Sequence, residues 1–94
     1  MPRPGRPAPA EACPGWPEKA CADAAVEKVR LLALAVTQAM DGRSIRSVAG
    51  EVGVDFSTLS DLLAGRTWPD SATVARLEVG LDRSLWPPHE GVED

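Results

Sequence analysis

The sequence predicts an all-α fold of about four to five helices, on three grounds. Apolar residues recur at three-and-four spacing, as in Val29, Leu32, Ala33, Val36 and Met40. The period-two alternation that marks strands does not occur. Glycine, proline and capping residues interrupt the apolar pattern at points that leave short helices between them.

Residues 1–21 hold six of the nine prolines, with small and polar residues between them. Such a stretch supports neither a helix nor a strand ladder, and is predicted to be a disordered Pro-rich arm. Within it, Trp16 between Gly15 and Pro17 reads as mostly exposed, with docking on the domain or on a partner as the alternatives. Arg3 and Arg6 are placed to brush phosphates, as basic arms do. Cys13 and Cys21 read as exposed, reduced thiols of a cytosolic protein, or as a local disulfide if the compartment is oxidising. His89 is the single imidazole, so no metal site is expected.

Residues 22–87 form the predicted domain. A first helix runs from Ala22 to Met40 and ends at Asp41-Gly42. Leu31, Leu34 and Ala35 lie off its main stripe, so this helix needs a second neighbour: a wider core, the arm, or a second copy. Ser44 caps a helix over Ile45–Val52, and Asp55 caps another over Phe56–Ala64 that Gly65 stops. Pro69 breaks the next loop, and Asp70 or Ser71 caps a last helix over Ala72–Leu81. Val74, Leu77 and Leu81 point inward from it, and Leu85 and Trp86 close the domain. Residues 88–94 read as an acidic flexible tail.

The organising stretch is Ile45–Gly65. Ala49 is small where two helices would cross, and Gly53 suits a left-handed turn. Val48, Val52, Val54, Leu59 and Leu62 fill inward positions. This is the helix-turn-helix pattern, whose second helix is offered to a DNA major groove. The net charge of −4 argues against non-specific phosphate binding but not against a specific site. An enzyme is not expected: the only histidine lies outside the predicted domain, tyrosine is missing, and the cysteines sit in the arm. No cofactor, small-molecule substrate or membrane span is expected, and a cytoplasmic location is the default.

Residues from about Val29 to Pro87 resemble the Cro/repressor-type (XRE-like) helix-turn-helix family, particularly short actinobacterial and actinophage members. The resemblance rests on Ala49, Gly53-Val54, Ser57-Thr58-Leu59-Ser60, Leu62-Leu63, Gly65-Arg66-Thr67-Trp68-Pro69-Asp70 and Leu85-Trp86-Pro87. It implies a compact, lambda-repressor-like DNA-binding domain of a transcriptional regulator, commonly a dimer, here with Leu31 and Leu34 as the candidate seam. Carried over by position, Phe56, Ser57, Ser60 and Asp61 would face base edges of double-stranded DNA, while Arg43, Arg46 and Arg66 would meet phosphates, and Thr58 would meet one or help to cap the helix. Two positions depart from the family pattern. Ile45 stands where members often have a backbone-contacting Gln, and Asp61 stands where a cation or amide would serve better. A protein-interaction module on the same fold, antitoxin-like or an adaptor, is the alternative reading.

Overall fold

Four helices make up the regular structure of the computed structural model, which describes residues 7–86. They are α1 (Ala24–Met40), α2 (Ile45–Val52), α3 (Phe56–Ala64) and α4 (Ser71–Leu81). Among the described residues there is no strand. The expected bounds of α2 and α3 hold, and α4 starts one residue early. The first helix begins later than expected because Asp23 caps it, accepting from the amides of Ala25 and Val26.

Side-chain caps set the starts of three helices. Ser44 accepts from Ser47 N at 3.0 Å and Asp70 from Thr73 N at 2.7 Å. Asp55 differs from expectation: it occupies the N-cap position of α3 but makes no side-chain cap bond. The ends use left-handed residues, Asp41 after α1, Gly53 after α2, Gly65 after α3 and Asp82 after α4.

Leu32, Val36, Val48, Leu59 and Leu77 are completely buried and join all four helices in one cluster. Ala49 is buried where α2 meets its neighbours, as a small residue at a crossing should be. Val54, Val74 and Leu81 pack against this cluster from its edge. Leu85 plugs the domain at 3% exposure, but Trp86 beside it stays 43% exposed and is not part of the plug. Glu78 fixes this closing turn, its Oε2 accepting from Leu85 N at 2.9 Å and Trp86 N at 3.2 Å.

The described part of the N-terminal stretch corrects the expectation of a disordered arm. Residues 7–21 form a chain of turns that packs on α1 and on the end of α3. Pro9 and Cys13 are fully buried, and Trp16 packs against the core cluster. Cys13 and Cys21 form a disulfide, so they are not exposed, reduced thiols. Proline richness prevented a helix here, but a covalent loop and one indole supply the fixed points that composition alone does not reveal. Arg3 and Arg6, and the acidic tail over 88–94, lie outside the described residues.

Candidate nucleic-acid interface

The candidate face is built on the first half of α3. Its leading residues point outward because Leu59 and Leu62 are buried at 0% and 1% exposure, which fixes the roll of the helix about its axis. Ser57 and Thr58 are exposed, Phe56 is 40% exposed, and Ser60 and Asp61 are half-buried. The structure therefore brings Phe56, Ser57, Ser60 and Asp61 onto one short helix whose opposite side faces the core.

Two arginines share this surface. The Arg46 guanidinium of α2 lies over the Phe56 ring, 4.2 Å from its centroid, a cation–π contact that holds both side chains in place. Arg66, just past α3, turns back along it: its Nε donates to Asp61 Oδ1 at 2.8 Å and its Nη2 to Ser60 Oγ at 3.2 Å. Asp61, an unhelpful residue toward phosphate, thus has a role in orienting Arg66.

Arg43 is engaged elsewhere. Its Nε donates to Met40 O at 2.9 Å and its Nη2 to Ala39 O at 3.2 Å, while Nη1 pairs with Glu51. It closes the C-terminal end of α1, where a cation offsets the exposed carbonyls and the helix dipole. A basic residue three positions past a helix end signals this role, and the sequence reading did not use it.

The depressed carboxyl pKa values fall at structural clamps. Glu27 is drawn from the ordinary 4.5 to about 2 by the Arg30 guanidinium and the Cys21 N–H. Arg30 holds it with two bonds, Nε to Oε1 at 2.8 Å and Nη2 to Oε2 at 2.6 Å. Asp70 is lowered by the Thr73 amide it caps, and Glu78 by the amides of Leu85 and Trp86. The sequence reading missed Glu27 and Arg30 entirely; their three-residue spacing on a helix was the available signal.

A second concave surface lies beside α4. A groove of about 390 Å³ is lined by Pro69, Val74, Ala75, Glu78 and Trp86, among others. Among the described residues no group of His, Cys, Asp or Glu is placed to hold a metal ion. No helix among them is long and apolar enough to cross a membrane. No protein-family model, curated protein or solved structure matches the chain.

Proposed function

We propose that this protein is a sequence-specific DNA-binding regulator, a repressor of the helix-turn-helix kind, that inserts α3 into a major groove. One observation carries the reading. The leading half of α3 is open to solvent and has a guanidinium at each end, Arg46 over Phe56 and Arg66 beside Ser60 and Asp61.

In this mechanism Ser57 and Ser60 hydrogen-bond base edges, Phe56 packs on a thymine methyl group, and Asp61 accepts from a cytosine amino group when Arg66 swings to a phosphate. Arg46, Arg66 and the Thr58 hydroxyl hold the backbone and set register. Arg43 adds to them only by leaving Glu51. Affinity from so few cations needs a second copy, with Leu31 at 37% exposure on α1 as the candidate seam beside half-buried Leu34. Two half-sites then lie about one helical turn apart. The working compartment is the cytoplasm, where the DNA is.

A protein-interaction module is the second reading. It is favoured by the pairing of Arg43 with Glu51 and Arg66 with Asp61, which engages two of the three arginines proposed for phosphates.

The two readings part in a retention assay on genomic fragments, including the protein's own promoter, at two salt concentrations. The regulator keeps a few fragments at the higher salt, Arg66→Ala weakens all of them alike, and Ser60→Ala changes preference at one base position. Equal, weak retention of every fragment would reject the regulator and leave the interaction module.

A further inference from the structure

The last turn of α3 is completed by a distant part of the chain. Asp61 and Leu62 carbonyls receive the amides of Arg66 and Gly65, the usual closure at a left-handed glycine. The Leu63 carbonyl, which has no intrahelical donor, receives the Trp16 indole N–H at 3.1 Å. The Gly65 carbonyl receives Ala10 N–H at 2.8 Å. A Cβ on Gly65 would stand 2.7 Å from Trp16 Cε2, so indole and glycine backbone are in direct contact.

The segment that carries Trp16 is closed by the Cys13–Cys21 bond, which spans eight positions. That loop is also tied to α1. Arg30 Nη1 donates to the Pro17 carbonyl at 3.1 Å, and Glu27 Oε1 accepts from Cys21 N–H at 2.8 Å. Cys13 is 1% exposed. One covalent link therefore sets the loop shape that lets the indole reach α3 while both cysteines stay docked.

We infer that the Cys13–Cys21 disulfide is a redox control on the trailing end of α3. Closed, it holds Trp16 as the cap of that end. Opened, it frees the loop, the cap loosens, and Arg66 loses its fixed path back to Ser60 and Asp61. The consequence for DNA rests on the function proposed above; the capping itself does not.

The reductant is a dithiol. One of its thiolates attacks the sulfur of Cys21, the less buried of the two residues, the S–S bond breaks, and Cys13 leaves as a thiolate that takes a proton. The second thiolate of the reductant then attacks the mixed disulfide and releases Cys21, which is protonated in turn. The protein gains two electrons and two protons, and the dithiol becomes a cyclic disulfide.

The test is amide and indole hydrogen exchange on the full chain, followed by NMR with and without dithiothreitol. Reduction should speed exchange at the Trp16 indole, Ala10, Gly65 and Arg66 by roughly ten- to a hundred-fold, the range expected from opening a short covalent loop, and leave Leu32 and Val36 of α1 nearly unchanged. Unchanged rates at Trp16 and Gly65, or equal acceleration in all four helices, would overturn the inference. Trp16→Phe, with the disulfide intact, should give the fast rates at Gly65 and Arg66 in both redox states. A redox response that survives this substitution would remove Trp16 from the account.

Fragments retained in the DNA assay are then titrated with both forms. Weaker binding by the reduced chain carries the control through to DNA; equal binding despite altered exchange refutes that consequence and spares the proposed function. Retention of no fragment in either form defeats the function and its redox consequence, while the exchange data still decide the control of the α3 end.

Discussion

The two ends of α3 are treated in opposite ways. At the leading end Asp55 makes no cap bond, Phe56 is 40% exposed, and Ser57 and Thr58 face solvent. At the trailing end Gly65 is buried, a left-handed turn closes the helix, and Trp16 and Ala10 supply donors from the N-terminal segment, far away in sequence. A helix anchored at one end and bare at the other can present side chains without losing its position. Under the proposed function the bare end reads bases and the anchored end keeps the reading in register.

The most severe way to break the contrast is Gly65→Ala. The new methyl meets Trp16 Cε2 at 2.7 Å and Ala10 Cβ at 2.8 Å, at a backbone φ of +72°. Overpacking and left-handed strain together should cost about 3 kcal/mol in urea unfolding. A cost near zero would mean that the N-terminal segment does not press on α3.

Glu27→Gln attacks the anchor from the α1 side. Loss of a charge-assisted pair at a partly exposed site should cost roughly 1–2 kcal/mol at neutral pH. Because the folded pKa of Glu27 is about 2 against an ordinary 4.5, its contribution is complete above the ordinary value and fades as pH falls toward 2. Acid titration of the Tm should therefore show a fall over that window in the parent protein that is smaller in the variant. Identical acid profiles would remove the Glu27–Arg30 clamp from the account.

Two caps sharpen the contrast further. Ser44→Ala should destabilise by about 1 kcal/mol, since it deletes the bond to Ser47 N. Asp55→Ala should stay within about 0.5 kcal/mol, since no such bond exists at α3. Phe56→Ala should cost about 0.5–1 kcal/mol from the contact with Arg46, together with a clear loss of DNA retention.

Most of the helical layout is legible in the sequence. The bounds of α2 and α3 followed from Ser44, Gly53 and Gly65, whose capping and turn requirements are local and act through a few neighbouring residues. The buried stripe of α1 was equally plain from its spacing. The candidate face was legible in part: Leu59 and Leu62 fixed the roll of α3, so Phe56 and Ser57 had to face out. What stayed hidden was long-range. Trp16 reaches Leu63 across 47 positions, and nothing in a proline-rich stretch signals the contact it will make. The sequence offers Arg43 and Arg66 to phosphates because it does not show that Glu51 and Asp61 fold back onto them. Cys13 and Cys21 leave two states open in the sequence, since nothing local shows that the fold brings the two sulfurs together into a disulfide.

The central claim is that α3 offers its leading end to DNA while its trailing end stays fixed. It is tested most directly by NMR titration of the full, oxidised chain with a short DNA duplex at low salt, where even non-specific binding uses the contact face. The account predicts shifts at Phe56, Ser57, Ser60 and the Arg46 and Arg66 side chains, with Leu63 and the Trp16 indole unmoved. Shifts confined to the groove around Trp86 and Pro69, or none at any duplex concentration, would contradict it.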